Sequence, residues 1–330
     1  MNHFLEVKHV SKKFPAGKDL FGRPNRFVHA VNDISFTVRQ GETFSLVGES
    51  GCGKSTTGRL IDRLLEPDEG EILFQGQRID QLNQQDMRPL RREIQMIFQD
   101  PAGSLNPRMT VGDLIAEPLI IHNPQMAPED RTREVHKLMQ VVGISPKNAG
   151  RYPHEFSGGQ KQRIGIARAL SVKPQLIIAD EPVSALDVSI QAQVLHLLQR
   201  LQEQLDLTYI FISHDLSVVE MISDRIAVMY LGFILELADK DKLFAHPSHP
   251  YTQALISAVP IPDPEQKPER IFLQGEIPSA LNLPQGCPFA SRCPKCMDRC
   301  KQERPVLQEI EPGHALACFL FEEAACPSKS

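Results

Sequence analysis

The sequence feature that most constrains the fold is residues 48–55, Gly-Glu-Ser-Gly-Cys-Gly-Lys-Ser, which match the phosphate-loop pattern G-x-x-x-x-G-K-[ST] at every fixed position. A short apolar run at residues 43–47 predicts a buried strand before the loop, and residues 56–65 predict a helix with one apolar face after it. This order directs backbone N–H groups and the positive end of a helix dipole toward phosphate oxygens. We therefore expect Lys54 to neutralise the terminal phosphates of a nucleotide and Ser55 to hold Mg²⁺.

Length and composition describe an ordinary globular chain of about two domains. It has 330 residues, of which 41% are hydrophobic, enough to bury a normal core. The formal net charge of −5 argues against a nucleic-acid partner, which would favour a basic excess. The first residues lack the apolar core of a signal peptide, and the apolar run at residues 226–237 is too short to span a bilayer. We expect a soluble, cytoplasmic protein.

The N-terminal residues predict an antiparallel β-layer. Residues 5–10 and 34–38 alternate apolar and polar side chains as half-buried strands do, and a polar insertion at residues 15–26 separates them. Residues 71–74 predict one arm of a hairpin. The first 90 or so residues thus combine antiparallel strands with the phosphate-binding unit, an α/β arrangement.

The next part of the chain alternates strands with helices. Apolar strands are predicted at residues 94–98, 176–179 and 209–212, and a long amphipathic helix at residues 190–205. Such alternation predicts a largely parallel sheet covered on both faces. The pattern between residues 111 and about 170 is helical, so we expect a helical subdomain, at about residues 100–171, inserted into a nucleotide-binding domain of residues 1–245. A proline-rich linker at residues 260–268 then leads into a small Cys-rich C-terminal domain within residues 246–330.

Five polar residues follow predicted strand ends, where ligands of parallel sheets bind. They are Lys54, Gln99, Asp180, Glu181 and His214. Asp180 can orient Mg²⁺, and Glu181 can accept a proton from an attacking water. The alternative for these two acids is a pair in the first turn of a helix, because Pro182 follows them.

Residues 157–160, Ser-Gly-Gly-Gln, precede a second helical run. One interpretation is a serine N-cap with a glycine entry turn. The other is a second anion site, because bare N–H groups and a hydroxyl at a helix start attract phosphate. A nucleotide on the phosphate loop does not need this second site, so we expect it to serve the nucleotide of another molecule.

The order of these motifs resembles the ATPase subunit of ATP-binding-cassette transporters over roughly residues 4–245. The resemblance implies a phosphate-loop NTPase core, with residues 48–55 as Walker A, residues 157–160 as the signature and residues 184–187 as the D-loop. It implies that Glu181 is the general base and that Lys54 and His214 contact the γ-phosphate.

The resemblance also implies the ligand sets. The residues expected to contact ATP are Phe14, Gly48, Glu49, Ser50, Gly51, Cys52, Gly53, Lys54, Ser55, Thr56, Gln99, Ser157, Gly158, Gly159, Gln160, Asp180 and Asp187. The residues expected to hold Mg²⁺ are Ser55, Gln99 and Asp180. Phe14 is the best match for the aromatic that stacks on adenine, with Phe27 as a rival.

Residues 98–108 and 249–255 resemble the dipeptide, oligopeptide and nickel importer group. The resemblance implies an ATPase that works at the cytoplasmic face of the membrane as a dimer, with a paralogous ATPase subunit as the expected mate. The other expected partners are two transmembrane permease subunits and, through them, an extracytoplasmic peptide-binding protein. The alternatives are a nickel or other small-solute importer, a non-transport ATPase of the superfamily, and a metal-binding regulator with a degenerate site.

Six of the seven cysteines lie within residues 287–326. In a cytosolic protein, where thiols stay reduced, such a cluster suggests metal binding more than disulfides. Four thiolates suit either tetrahedral Zn²⁺ or an iron–sulfur cluster. The resemblance implies a [4Fe-4S] cluster with a structural role. Its expected ligands are Cys287, Cys293, Cys300 and Cys318, with Cys296 and Cys326 outside the set.

Overall fold

The computed structural model describes residues 3–18, 24–259 and 270–322. Its strands are β1 (Leu5–Lys18), β2 (Pro24–Val38), β3 (Thr43–Val47), β4 (Glu69–Phe74), β5 (Gln77–Arg78), β6 (Ile94–Ile97), β7 (Leu176–Asp180), β8 (Thr208–Ser213), β9 (Arg225–Tyr230), β10 (Phe233–Asp239), β11 (Gln308–Glu311) and β12 (His314–Leu316). Its α-helices are α1 (Lys54–Ile61), α2 (Gln84–Glu93), α3 (Val111–His122), α4 (Pro128–Val141), α5 (Gly158–Leu170), α6 (Val188–Leu205), α7 (Leu216–Ile222), α8 (Lys240–Ala245), α9 (Pro250–Ser257), α10 (Asp298–Gln302) and α11 (Phe319–Glu322).

The chain divides into two compact units. The first unit comprises Met1–Val38, Phe44–Asp80 and His214–Ser330, and the second comprises Arg39–Thr43 and Gln81–Ser213. The predicted domain boundary between residues 245 and 246 stays a prediction. Strand β12 of the tail pairs antiparallel with β10. The predicted linker, residues 260–268, lies outside the described residues.

The first unit carries an antiparallel sheet in the order β2-β1-β4-β5 and a run of strands in the order β11-β12-β10-β9-β3. In that run only β3 and β9 pair parallel, whereas β9 to β11 are antiparallel neighbours. The five residues of β3 are all buried, as its continuous apolar run predicts. The prediction of a largely parallel sheet therefore misses this antiparallel side.

Two N-terminal predictions need correction. The predicted insertion at residues 15–26 does not interrupt the strands: β1 runs to Lys18 and β2 begins at Pro24, because the two pair with each other, with Phe14 opposite Val28. The helix after the phosphate loop ends at Ile61, not at residue 65. Arg63 has a φ of 56°, which no α-helix accommodates, and Leu64 is consequently 50% exposed.

The second unit contains the parallel strands β6, β7 and β8, with β7 paired to both neighbours. Helices α3, α4 and α5 pack on one another within the region predicted as an inserted helical subdomain. Thr110 caps α3, because its hydroxyl accepts a hydrogen bond from the Asp113 N–H at 3.2 Å. The parallel strands place the residues that follow β6 and β7 at the same edge of this unit.

Candidate nucleotide and cysteine sites

The phosphate loop connects β3 to α1 in the first unit, and its glycines are required by shape. Gly48 has a φ of 148°, and a Cβ there would lie 2.1 Å from the Met229 carbonyl oxygen. Gly53 has a φ of 105°, and a Cβ there would lie 2.2 Å from the Ala30 carbonyl oxygen. A larger residue at either position would therefore push the loop away from the strands that support it.

Lys54 lies beneath this loop and is only 4% exposed. Its ammonium group donates hydrogen bonds to the carbonyl oxygens of Gly48, at 2.7 Å, and Glu49, at 3.0 Å. Ser55 and Thr56 follow in the first turn of α1 and are half-buried, whereas Ser50 and Gly51 are exposed at the tip of the loop. The loop thus combines a cation with a helix start, and its binding of phosphate stays a prediction.

The edge of the second unit brings Gln99 and Glu181 together. Gln99 follows β6, Asp180 is the last residue of β7, and Glu181 comes directly after it. The Gln99 side-chain amide donates a hydrogen bond to the Glu181 carboxylate at 2.9 Å. Asp180 is 1% exposed and lies in the strand, so the alternative of an acidic first turn is wrong; the next helix begins only at Val188.

Glu181 has a backbone conformation that few non-glycine residues adopt. Its φ is +46°, in the left-handed region. Its backbone N–H donates to the Ile212 carbonyl oxygen of β8 at 2.9 Å, and its own carbonyl oxygen accepts a hydrogen bond from the Ser184 hydroxyl at 3.1 Å. Such strain is concentrated at functional sites, where the surrounding contacts hold it in place.

The predicted signature forms the start of α5, also in the second unit. The Ser157 hydroxyl accepts the Gln160 N–H at 3.4 Å, and the Gln160 side-chain oxygen accepts the Ser157 N–H at 3.0 Å, which is a capping box. The serine N-cap interpretation is thus present. Ser157, Gly158 and Gln160 are also exposed, so the same helix start is open to a further ligand. Asp187 is exposed at the start of α6.

The remaining predicted residues of the nucleotide site lie in the first unit. His214 is exposed and follows β8 directly in the chain. Phe14 and Phe27 are both half-buried on the β1–β2 pair, where Lys12 lies 5.7 Å from the Phe14 ring and Lys13 5.5 Å from the Phe27 ring. Each aromatic candidate has a lysine ammonium near its ring, so the choice between them for adenine stays a prediction.

The four predicted cluster ligands share one cavity of the first unit. Cys287, Cys293, Cys300 and Cys318 all line it, together with His249 and Phe289. Burial is the main cause that raises the pKa of Cys287 to about 12 and of Cys318 to about 11, and neighbouring thiols contribute to both shifts. Cys326 lies outside the described residues.

A metal site requires that its potential ligands be grouped around the ion. Within residues 3–18, 24–259 and 270–322, no three His, Cys, Asp or Glu side chains are grouped so that they could hold a metal ion. Four zinc ligands would have to lie about 2.0–2.3 Å from one ion.

Sequence reasoning missed a contact between the cysteine-rich tail and the phosphate loop. Arg292 makes two hydrogen bonds to the Glu49 carboxylate, at 2.7 and 3.1 Å, and the Tyr251 hydroxyl accepts the Glu49 N–H at 3.0 Å. Tyr251 lies in the motif of residues 249–255, and Arg292 lies in the cysteine motif of residues 287–293. No local pattern indicates that these motifs reach a loop more than 200 residues earlier.

None of the helices in the described ranges is both long and apolar enough to cross a bilayer.

Comparison with protein families gives two matches. Residues 31–184 match the ABC transporter family, and residues 235–300 match the oligopeptide/dipeptide transporter C-terminal region. The second match begins in β10 and includes Arg292 and three of the four predicted cluster ligands.

Similar curated proteins cover nearly the whole chain. A putative oligopeptide transport ATP-binding protein, YkfD of Bacillus subtilis (strain 168), is 53% identical over 98% of this chain and 98% of its own length. The oligopeptide transport ATP-binding protein AppF of the same organism is 54% identical over 96% and 97%. A probable peptide ABC transporter ATP-binding protein, y4tS of Sinorhizobium fredii, is 51% identical over 97% and 91%.

Solved structures show the same fold. A dimeric post-hydrolysis state of the ATP-binding cassette MJ0796, bound to ADP and Pi, has a TM-score of 0.64 and 28% identity over 72% of this chain and 98% of that one. The structure of cbiO1 from Clostridium perfringens has a TM-score of 0.64 and 27% identity over 74% and 92%. With its phosphate loop, its Gln99–Glu181 pair and relatives above 50% identity along their full length, the chain belongs to the ATPases of the ATP-binding-cassette transporter family, and to the group with an oligopeptide/dipeptide transporter C-terminal region.

Proposed function

We propose that this chain is the ATP-hydrolysing subunit that powers a membrane importer of peptides. The observation that carries the hydrolytic part is the 2.9 Å hydrogen bond between Gln99 and Glu181. A carboxylate held at the end of a parallel strand can accept a proton from water. The neighbouring Gln99 amide can orient that carboxylate through its hydrogen bond. The peptide part is supported by the names of YkfD, AppF and y4tS, all of which refer to oligopeptide or peptide transport.

In this proposal each motif of the chain has one task. Lys54 contacts the terminal phosphates, Glu181 is the general base and His214 contacts the γ-phosphate. Ser55, Gln99 and Asp180 would hold Mg²⁺, because hydroxyl, amide and carboxylate oxygens are the donors that Mg²⁺ prefers. When bound, Mg²⁺ neutralises charge on the β- and γ-phosphate oxygens.

The exposed start of α5 supports a dimer. Ser157, Gly158 and Gln160 leave an uncovered helix N-terminus in the second unit. We propose that it closes over ATP bound to the phosphate loop of a second ATPase subunit, and that this second subunit is a paralogue. A dimer is the state named for the MJ0796 cassette. ATP would then favour the closed dimer because it bridges both subunits, and hydrolysis would remove the bridge.

The role in peptide import implies further partner proteins. We propose that the chain lies at the cytoplasmic face of the membrane on two transmembrane permease subunits, with an extracytoplasmic peptide-binding protein on the other side. The solute is selected by those subunits, so the runner-up function is the same ATPase role in a nickel or other small-solute importer.

We further propose that Cys287, Cys293, Cys300 and Cys318 bind a [4Fe-4S] cluster with a structural role. The proposal is supported by the one cavity that all four cysteines line. Four cysteine thiolates are the ligand set that would hold such a cluster.

The test is co-expression of the chain with its permease subunits, followed by reconstitution in proteoliposomes. We expect ATP hydrolysis and uptake of labelled peptide, both lost in Glu181→Gln, with no stimulation by nickel. Uptake of nickel instead of peptide would support the runner-up. Recovery of nucleic acid in place of permease subunits would overturn the transport function altogether.

A further inference from the structure

The side chain of Arg292 connects the cysteine-rich tail to the phosphate loop inside the first unit. Its guanidinium binds both carboxylate oxygens of Glu49, at 2.7 and 3.1 Å, and its side chain is only 9% exposed. The planar guanidinium matches a carboxylate in geometry, and such charge-assisted pairs are among the strong hydrogen bonds of proteins. The contact therefore fixes the direction of the Glu49 side chain.

The backbone of Glu49 is held from the same side. The hydroxyl of Tyr251, a fully buried residue of α9, accepts the Glu49 N–H at 3.0 Å. The Glu49 carbonyl oxygen accepts hydrogen bonds from the Lys54 ammonium, at 3.0 Å, and from the Cys52 N–H, at 3.3 Å. Glu49 is thus joined by a hydrogen bond to the lysine that we assign to the phosphates.

A block of aromatic rings joins these contacts to the cysteines. The Phe289 ring lies 5.4 Å from Tyr230 and 5.3 Å from Tyr251, and Tyr230 and Tyr251 lie 4.9 Å apart. Phe289 is fully buried and only two residues beyond Cys287, and Arg292 immediately precedes Cys293. The segment that carries two of the cysteines therefore packs directly behind the first turn of the loop.

We propose that Arg292 and Tyr251 are positioning residues of the nucleotide site, which hold the phosphate loop at Glu49 so that the loop is ordered before nucleotide binds. The cysteine-rich segment, residues 286–300, is in this view a part of the nucleotide-binding apparatus and not an independent appendage. The inference rests on the proposed ATPase function, but it concerns nucleotide affinity, which is measured without transport.

The first test is ADP affinity of the purified full-length chain with Mg²⁺ and a fluorescent ADP. Arg292→Gln keeps a polar side chain of similar length but loses the positive charge and the paired N–H donors of the guanidinium. We expect its Kd for ADP to rise about tenfold, equivalent to about 1.4 kcal/mol. Arg292→Lys keeps the charge but not the two-pronged geometry, so its Kd should lie between those of the parent and Arg292→Gln.

A matched control separates positioning from folding of the tail. Arg304 also holds the tail, through hydrogen bonds to the carbonyl oxygens of Pro284, at 2.7 Å, and Gly286, at 3.4 Å. Arg304→Gln should lower thermal stability as much as Arg292→Gln does, or more, but leave the Kd for ADP within twofold of the parent. Equal losses of affinity in the two variants would overturn the positioning role, because general loosening of the tail would then explain both.

The second test uses the reciprocity of linked equilibria. If an ordered phosphate loop stabilises residues 286–300 and the reverse also holds, ADP binding should slow hydrogen exchange of the backbone amides of residues 286–300. The slowing should occur in the parent and in Arg304→Gln and be lost in Arg292→Gln. An Arg292→Gln chain with parental Kd and parental slowing would overturn the proposal.

A double-mutant cycle with Glu49→Gln assigns the effect to the pair. We expect the double variant Glu49→Gln, Arg292→Gln to bind ADP no more weakly than the weaker single variant, because the second change removes a contact already lost. In the assembled transporter, Arg292→Gln should raise the KM for ATP with kcat at saturating ATP within twofold of the parent. A parent that binds ADP but hydrolyses no ATP would count against the proposed function and leave this inference intact.

Discussion

The Gln99 side-chain nitrogen lies 2.9 Å from a carboxylate oxygen of Glu181, 82 residues away in the chain. The two side chains meet because β6 and β7 are parallel neighbours, so that the residues following them emerge at the same edge. The amide hydrogen bond orients the carboxylate, whose backbone is itself fixed by bonds to Ile212 and Ser184. This relationship makes Glu181 testable by a nearly isosteric change.

Glu181→Gln should bind ATP but hydrolyse it very slowly and accumulate a closed dimer. The new amide can still accept the Gln99 hydrogen bond through its oxygen, so geometry is kept while the proton acceptor is lost. Loss of a general base lowers kcat by roughly 10²–10⁴-fold. A steady-state ATPase rate within about threefold of the parent rate would contradict the role of Glu181, because loss of a general base should cost far more than that. Lys54→Ala is the contrasting variant, which should weaken nucleotide binding itself.

Ser157→Arg should leave ATP binding by the isolated chain unchanged but abolish hydrolysis in the assembled transporter. Ser157 is exposed at the start of α5, and a long cation there would block the approach of a second nucleotide-bearing surface. Equilibrium binding on the isolated chain and ATPase on the complex measure the two effects. If the isolated chain loses nucleotide affinity, the signature contacts its own ATP and the two-subunit geometry is wrong.

Protein purified without oxygen should be brown, with broad absorbance at about 400 nm from thiolate-bound iron. Serine at any of the four cavity positions, Cys287, Cys293, Cys300 or Cys318, should bleach the colour. Cys296→Ser is a stringent control because Cys296 interacts with Cys300 yet lies outside the cavity lining. It should keep the colour. Colourless anaerobic protein with one stoichiometric Zn²⁺ would overturn the cluster.

His249 gives a prediction for acid stability. It is 1% exposed, its Nδ1 accepts the Tyr251 N–H at 3.0 Å, and burial lowers its pKa to about 4. An unfolded histidine titrates near 6.5, so between pH 6.5 and 4 the unfolded chain binds a proton that the folded chain refuses. Stability should therefore fall as the pH is lowered, by about 2 kcal/mol between pH 7.5 and 5 from this residue.

His249→Asn isolates that contribution. Asparagine keeps a side-chain acceptor at the N-cap of α9 but does not titrate. Urea unfolding of both chains at pH 7.5 and pH 5 measures the difference. The variant should lose about 2 kcal/mol less than the parent on acidification. Equal losses would mean that other groups cause the acid sensitivity.

Local chemistry explains which features could be predicted from sequence. The phosphate loop, the strands that precede Gln99 and Asp180, and helix α6 follow from runs of neighbouring residues whose periodicity or glycines permit few alternatives. The end of α1 could not be predicted in this way. Leu64 and Leu65 continue the apolar pattern, but the left-handed backbone at Arg63 terminates the helix. Only the surrounding structure determines such a conformation.

Long-range pairing explains what the sequence did not reveal. The β1–β2 pair extends through a stretch that contains Pro15 and Gly17 because each strand satisfies the backbone of the other. Likewise, Glu49 occupies a variable position of the phosphate-loop pattern, and nothing near it indicates a basic partner. That partner, Arg292, lies 243 residues further along the chain, and only the folded structure shows that it reaches Glu49.

The separation of Glu49 and Arg292 by 243 residues also determines the order in which the two are synthesised and the time between them. At about 5–20 residues per second, a ribosome needs roughly 10 to 50 s to reach Arg292 after it has added Glu49. Throughout that interval the nascent chain carries a complete phosphate-loop sequence without the contacts that hold it from behind. If Arg292 positions the loop as we propose, full nucleotide affinity arises only after Arg292 has been added and has folded back onto Glu49.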